Sequence, residues 1–308
     1  MVPKETITPF RDFGTESLPA EKVFATRQFS TCNWIQAMEG NVDTAHISHL
    51  HQFEAIDDIP DDGSDKPGYP SNAMSWKFWR HDRSPRLEVE DTWYGYKYAG
   101  IRNTPNGNTH VRITAYIVPY STLVASIPFT TGHGMFVPVD DFTCMRYFFV
   151  TQEDQNPQGY GGENLFAPAP YTTPMLWANG VVQRTHSEEN HYLIDREAQK
   201  TSLFSGITDF VSQDLMVTES MGAIYDRTQE HLGTTDISII KMRSILIDAA
   251  TALAAGGEAP ALEGGFTAIR AAEKILEANE DWRILGTDDD PAVREARLVA
   301  PTLRTAQS

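Results

Sequence analysis

The sequence predicts an α+β protein in which an antiparallel sheet packs against a long helix. Between residues 74 and 150, five segments rich in aromatic and β-branched residues follow one another, among them RLEVEDTWYGYKYAGIR and THVRITAYIVPY. Their short connections, with Asn106-Gly107 as a good hairpin turn, favour an antiparallel meander. Later in the chain, TTDISIIKMRSILIDAATALAAGG has a broad apolar face and closes on two glycines, as expected of a long helix.

Other segments complete the predicted order of elements. Residues 33 to 46 have helical spacing, and SQDLMVTESMGAIYDRTQEHLG reads as helical from a cap at Ser212 to Gly233. From Glu258 onward we expect a smaller helical segment and a charged tail. The acid-rich stretch after residue 53 is predicted to be a solvated loop. Strands followed by helices place the chain in the α+β class.

Composition narrows the classes of function. The chain has 308 residues and a net charge of −17, with a pI near 4.9. Such a surface repels nucleic acid and anionic membranes, so neither is expected as a partner. No apolar run approaches the ~20 residues of a membrane span, and the N-terminus lacks the apolar core of a secretory signal. We therefore expect a cytoplasmic protein whose two cysteines, Cys32 and Cys144, are reduced core thiols.

The stretch GNVDTAHISHLH concentrates metal-capable side chains: Asp43, His46, His49 and His51. Imidazole suits zinc, copper, iron and nickel, and two histidines with a carboxylate from elsewhere form the facial triad of non-haem Fe(II) oxygenases. If the helix continued through residue 46, Asp43 and His46 would lie one turn apart on one face. From the residues alone, either His49 or His51 could be the second ligand, and an isolated H-x4-H pattern is weak evidence for a metal site.

Two separated motifs carry a family resemblance. CNWIQAMEGNVDTAHISHLH resembles the start of the catalytic domain in the phthalate-dioxygenase-like branch of the Rieske non-haem iron oxygenases, with N-W-x-Q-x-x-E-G and then D-x2-H-x4-H. QDLMVTESMGAIYDRTQEHLGTTD resembles the second signature of that family, with Q-D, E-S-M-G, D-R and E-H-L-G in order. The two signatures stand in the right order, which makes the match specific. The resemblance covers roughly residues 20 to 255, although the β-rich middle matches only in pattern.

The resemblance implies a role for each site residue. His46 and His51 would be iron ligands, and Asp214 would supply the carboxylate. Asp43 would bridge a ligating histidine to the iron–sulfur cluster of a neighbouring subunit and so give electrons a short path, with Glu39 close by in support. As a carboxylate behind a ligand, Asp43 would also fix the tautomer of the imidazole. Taken alone, Asp214 would be read as a helix-capping carboxylate.

The resemblance also implies a helix-grip (Bet v1/START-like) fold, a curved antiparallel sheet over a long C-terminal helix with a cavity between them. It divides the chain into an N-terminal arm or linker (1–20), a mononuclear-iron catalytic domain (21–256), and a helical C-terminal extension with a charged tail (257–308). Five aromatic residues are candidates to line the cavity, although we expect most of them to be ordinary core: Trp76, Phe78, Trp93, Tyr96 and Phe149.

The expected oxygenase reaction needs a partner that donates electrons. A Rieske cluster requires C-x-H and C-x2-H pairs, and neither Cys32 nor Cys144 fits them. We therefore expect electrons from an external Rieske 2Fe–2S cluster, carried by a separate domain, a ferredoxin or a reductase, and no turnover by this chain alone. O2 would be the co-substrate, and a small, carboxylated aromatic compound would be hydroxylated or O-demethylated. Either Arg102 or Arg112 could anchor the carboxylate. The family assembles as homotrimers or stacked trimers.

Two alternatives remain open from the sequence. The first is a non-catalytic helix-grip module that binds an apolar ligand and retains a vestigial metal site. The second is hydrolytic zinc chemistry, which two histidines and a carboxylate also permit. No H-E-x-x-H pattern supports the zinc alternative.

Overall fold

The computed structural model describes most of the central part of the chain. The ranges are 11, 13, 23–51, 75–127, 130–152, 176–178, 181–183, 186–208, 210–258 and 265–285. The acid-rich loop, the charged tail and all of the N-terminal arm except Arg11 and Phe13 lie outside them, together with the predictions made for those segments.

Seven strands form the main path of an eight-stranded antiparallel sheet, which is the body of the molecule. Its order is β1-β7-β6-β5-β4-β3-β2, so β2 to β7 form a meander and β1 adds to β7 at the edge. The predicted antiparallel meander is thus confirmed. The strand prediction for MSWKFWRHD, the first of the five segments, is wrong, because Ser75–His81 form a helix that buries both Phe78 and Trp79. The strands are β1 (Val23–Ser30), β2 (Arg86–Thr92), β3 (Gly95–Asn103), β4 (Thr109–Ile117), β5 (Ser121–Ile127), β6 (Thr130–Pro138) and β7 (Cys144–Gln152). A separate two-stranded ribbon consists of β8 (Leu176–Ala178) and β9 (Val181–Gln183).

Strand β10 (Ala272–Leu276) corrects the helical prediction for the C-terminal extension. It pairs antiparallel with the first half of β4, while the second half of β4 pairs with β5. Its residues have no strong β-propensity, so pairing decides their conformation. Ile275 is fully buried, and Glu273 lies 2.7 Å from the ring of His110 in a buried pair. The gain from these contacts outweighs the local preference of a five-residue segment.

Five helices accompany the sheet: α1 (Trp34–Val42), α2 (Ser75–His81), α3 (Ala198–Thr201), α4 (Phe210–Ser220) and α5 (Ile237–Ala254). The long helix α5 is confirmed, and none of the described helices is long and apolar enough to cross a membrane. The predicted helix from Ser212 to Gly233 is shorter than expected. It begins at Phe210, so Ser212 and Asp214 lie inside it, and it ends at Ser220. Gly222 then adopts a left-handed backbone (φ +91°), which turns the chain away from the helix axis.

The two faces of the sheet have different covers. One face packs α1 and α5 onto the sheet through a core that includes Met38, Tyr96, Tyr98 and Met242. The opposite face of β3 and β4 is apolar and is covered by the C-terminal segment through Trp282 and Leu285. A long helix packed against an antiparallel sheet is the helix-grip arrangement that the family resemblance implies. The helix-covered face holds α1, and the candidate site follows directly after that helix.

Candidate metal centre

Three potential ligands converge at one point. His46, His51 and Asp214 each offer a ligand atom within 4.8 Å of the other two, the one such cluster of three or more His, Cys, Asp or Glu among the described residues. Asp214 Oδ1 lies 3.2 Å from His51 Nε2 and 3.5 Å from His46 Nε2. The imidazole rings stand nearly edge to face, with centroids 5.1 Å apart. His49 is not part of this group, so the structure assembles the set that the resemblance implies.

The local backbone that presents His46 differs from the expectation. Helix α1 ends at Val42, and Asp43 has an extended backbone, so Asp43 and His46 do not share a helix face. Instead the Asp43 carboxylate accepts hydrogen bonds from the backbone N–H groups of Ala45 (2.7 Å) and His46 (3.0 Å). An aspartate that caps a turn in this way competes with continuation of the helix. The chain then makes a single 3₁₀ turn over His46–Ser48.

The Asp43 carboxylate also holds the His46 ring. Asp43 Oδ2 lies 3.2 Å from His46 Nδ1, which leaves His46 Nε2 directed at Asp214. Burial by itself would lower the pKa of His46, but the hydrogen bond and charge of Asp43, together with the charge of Asp214, raise it above its usual value. Burial would likewise raise the pKa of both carboxyl groups. The neighbouring histidines outweigh burial and keep both pKa values below the usual range.

Helix α4 contacts both ring nitrogens of His51. Asp214 faces Nε2, and the preceding residue, Gln213, has its Oε1 2.5 Å from Nδ1. Gln213 in turn donates from Nε2 to Ile207 O at 2.6 Å. Gln213 belongs to the second sequence motif, from which no role was predicted for it. Its position next to the candidate ligand Asp214 was the signal that could have found it.

Strands β3 and β4 contact the segment 43–48, called here the ligand turn, through two arginine side chains. Arg102 Nη2 donates to Thr44 O (2.8 Å) and Ser48 Oγ (3.1 Å), and Arg112 Nη1 donates to Thr44 Oγ1 (3.3 Å). Arg102 is fully buried, and burial lowers its pKa to about 10. Gly100 makes room for the turn, because a Cβ there would lie 2.8 Å from Thr44 Cγ2. The two arginines predicted as substrate anchors therefore hold the segment between Asp43 and His46.

Glu39 has partners other than the Asp43 side chain. Its carboxylate accepts hydrogen bonds from Arg227 Nη1 (2.7 Å) and Arg243 Nε (2.8 Å), and both arginines also bind Glu230. These four residues connect α1, α5 and the loop between α4 and α5. The Glu39 backbone carbonyl accepts from the Asp43 N–H at 2.9 Å. The observed link between Glu39 and Asp43 is thus a backbone hydrogen bond.

The candidate cavity residues have core contacts in the structure. Phe78 is buried and stacks on His110, and the Tyr96 hydroxyl donates to Ser238 O at 2.6 Å within the core beneath α5. Trp93 is half-exposed against Phe266. Phe149 lies beside the ring of His133, with centroids 5.7 Å apart. The side chain of Trp76 lies outside the described residues.

Comparisons with known proteins match this chain to one family model and to oxygenase subunits. The family described as LigXa C-terminal domain like matches residues 1–302. The phthalate 4,5-dioxygenase oxygenase subunit of Pseudomonas putida is 29% identical over 292 residues, which cover 91% of this chain and 63% of that protein. The 3-chlorobenzoate-3,4-dioxygenase oxygenase subunit of Comamonas testosteroni is 29% identical over 262 residues, 79% of this chain and 56% of that protein. The chain therefore spans less than two thirds of the length of either curated relative.

Among solved structures, dicamba monooxygenase bound to dicamba superposes with a TM-score of 0.46 at 14% sequence identity, over 82% of this chain and 65% of that one.

Proposed function

The chain belongs to the LigXa C-terminal domain like family, and from that premise we propose that it is the catalytic part of a cytoplasmic aromatic oxygenase component with Fe(II) at His46, His51 and Asp214. The convergence of two imidazoles and one carboxylate carries the proposal. This donor set is that of mononuclear non-haem Fe(II) oxygenases, and thiolates, which would favour zinc or copper(I), are absent from it.

The residues present fit such an ion. His46 and His51 both direct Nε2 toward Asp214 Oδ1, and each ring has a hydrogen-bonding partner at Nδ1. Bound there, Fe(II) would supply the reductive activation of O2. The chain contributes the fixed orientation of the ligands and an anionic Asp43 and Asp214, whose lowered pKa values keep both carboxyl groups ionised at neutral pH.

Asp43 is the proposed entry point for electrons. Its side chain is 19% exposed, that of His46 is 22% exposed and that of Asp214 is 28% exposed, whereas that of His51 is fully buried. Asp43 contacts both solvent and the Nδ1 side of the His46 ring, so a donor at the surface would reach the site through Asp43 and His46. We propose an external Rieske 2Fe–2S centre as that donor, on another subunit, a ferredoxin or a reductase, within a homotrimer or stacked trimers. The net charge of −17 disfavours nucleic acid and anionic membranes as partners.

The proposed substrate is a small carboxylated aromatic compound that is hydroxylated or O-demethylated. An anionic substrate needs a cation near the metal in so acidic a protein. Arg112 is largely buried, and its charge acts on His46 and on Tyr98. Its Nε and Nη1 donate to Ala125 O and Thr44 Oγ1. Because Arg102 is committed to the ligand turn through Nη2 and to Asp82 O through Nε, Arg112 is the better candidate anchor.

Metal content after anaerobic purification tests the proposal. We expect near-stoichiometric iron in the wild type and in the control His49→Ala, and loss of iron in His46→Ala and Asp214→Ala. Iron that persists in both ligand variants would overturn the triad. Zinc alone after anaerobic iron loading would favour the zinc hydrolase. No metal under any loading condition would favour the non-catalytic ligand-binding module.

A further inference from the structure

The proposed function assigns no role to Gln213. It is fully buried at 0% exposure, inside helix α4 and next to Asp214. We propose that Gln213 is a positioning residue that keeps a hydrogen on His51 Nδ1 and orients the ring, so that Nε2 is the nitrogen available to a metal. The inference rests on the proposed function for its purpose, although the hydrogen bond between His51 Nδ1 and Gln213 Oε1 is a property of the metal-free chain.

The hydrogen-bond chain fixes which way the amide points. Ile207 O can only accept, so the Gln213 group that faces it at 2.6 Å is the NH2 group. The opposite end of the amide, Oε1, therefore faces His51 Nδ1 at 2.5 Å. Because Oε1 cannot donate, Nδ1 must carry the hydrogen. Nε2 is thereby the ring nitrogen left for a metal. In the metal-free chain it faces Asp214 Oδ1 at 3.2 Å, and because a carboxylate oxygen can only accept, a hydrogen on Nε2 is donated there.

Burial makes the hydrogen bond between Gln213 and the His51 ring difficult to replace. His51 is 1% exposed, so bulk water cannot readily substitute for a lost partner of its ring. Ile207 O, which accepts the hydrogen bond from Gln213, is itself held in place by the backbone conformation of the residue before it. Gly206, just before it, has a left-handed backbone (φ +69°), and a Cβ there would lie 2.7 Å from Asp195 O. The loop before α4 thus fixes the carbonyl that orients the amide.

The two histidines therefore have different hydrogen-bonding partners at Nδ1. His46 Nδ1 faces the partly exposed carboxylate of Asp43, and His51 Nδ1 faces a neutral amide at a fully buried position. A carboxylate in place of Gln213 would add a buried negative charge beside the partly exposed Asp214, at a substantial desolvation cost. A neutral acceptor orients the ring without that cost. The site then keeps its anionic support only on the side where Asp43 reaches solvent.

Two variants separate the bonds that Gln213 makes. Gln213→Met has a similar length and removes both bonds. Gln213→Glu keeps an acceptor toward Nδ1 but loses the donor toward Ile207 O. The matched control is Gln36→Met, because Gln36 is also buried and also binds backbone groups, at Thr218 O and Tyr225 N, without contacting His51.

The first readout is the Nδ1–H resonance of His51 and its exchange with solvent in ¹⁵N-labelled, metal-free protein. We expect a slowly exchanging Nδ1–H in the wild type, Gln213→Glu and Gln36→Met, and a rapidly exchanging or lost Nδ1–H in Gln213→Met. The second readout is Co(II) affinity by competition with a chelator. There we expect a loss of roughly tenfold or more in Gln213→Met, the usual cost of removing such a support, and little change in Gln36→Met.

The outcomes distinguish this inference from the proposed function. An unchanged Nδ1–H exchange rate and unchanged Co(II) affinity in Gln213→Met would overturn the positioning role, even if the triad binds metal. Rapid exchange of Nδ1–H in Gln213→Met and not in Gln36→Met would support it, even if the wild type bound no metal and the oxygenase proposal failed. Equal loss of Co(II) affinity in Gln213→Met and Gln36→Met would assign the effect to general destabilisation and overturn the role.

Discussion

Arg102 on strand β3 donates a 2.8 Å hydrogen bond to the backbone carbonyl of Thr44, the residue after Asp43. The same guanidinium group reaches Ser48 and Asp82, so one buried cation ties the ligand turn to the sheet. The turn has only three residues in 3₁₀ geometry, which is too short to be stable alone. The position of His46 therefore depends on the sheet as much as on its own segment.

Replacing this cation should loosen the turn. We expect Arg102→Met to lower the free energy of unfolding by roughly 3 kcal/mol, because three acceptors, two of them in buried hydrogen bonds, lose a charged donor. The control is Arg86→Met, whose side chain is 64% exposed. Urea denaturation of both variants measures the difference. A loss in Arg102→Met no larger than in the control would contradict a clamping role.

Gly100 should resist substitution through one particular contact. A Cβ at this position meets Thr44 Cγ2 at 2.8 Å, and Thr44 cannot rotate freely while its hydroxyl accepts from Arg112. We expect Gly100→Ala to cost about 1–3 kcal/mol of stability, as overpacking usually does. Thr44→Ser removes the methyl group and keeps the hydroxyl. In a double-mutant cycle the alanine should therefore cost less in the Thr44→Ser background, and strict additivity would refute the contact.

Glu39 is expected to matter for stability and not for metal binding. Its carboxylate joins Arg227 and Arg243, which are partly exposed, so Glu39→Gln should lower the free energy of unfolding by only about 1 kcal/mol. Iron content after anaerobic purification should stay at the wild-type level. Loss of iron in Glu39→Gln, with stability intact, would instead restore the support role that the resemblance implies. Glu197→Gln, at an exposed pair with Lys200, is the control.

His133 should make the fold sensitive to acid. Burial lowers its pKa to about 4, against about 6.5 in the unfolded chain. The unfolded state thus binds more protons between these values, so the stability due to neutral His133 is complete above pH 6.5 and is lost as pH falls toward 4. Between pH 7.5 and pH 5 the loss should be about 2 kcal/mol.

The comparison variant is His133→Phe, which keeps a ring beside Phe13 and Phe149 but cannot titrate. Urea denaturation at both pH values, at constant ionic strength, should show a smaller pH dependence in the variant than in the wild type. Equal pH dependence in the two proteins would assign the acid sensitivity to other groups.

Local patterns in the sequence were enough to predict the antiparallel meander and the long helix. Aromatic and β-branched residues mark β2 to β5 and β7, and the apolar face of α5 marks the helix, because both signals repeat within a few residues. The pattern did not mark β6, and it predicted a strand where Ser75–His81 form a helix. The spacing of Asp43, His46 and His51 is likewise local. Asp214 could be joined to them from sequence only through the family resemblance, since the residues alone suggest a helix cap.

Only the tertiary structure decided how these parts meet. Local patterning favoured a helix through His46 and a helical C-terminal extension, but Asp43 ends the helix and pairing with β4 makes a strand of Ala272–Leu276. The supports of the site join residues far apart in sequence: Arg102 lies 58 residues from Thr44, and Gln213 lies 162 residues from His51. Such contacts leave no periodic trace, because they depend on strand register and on the docking of α4 beside the ligand turn.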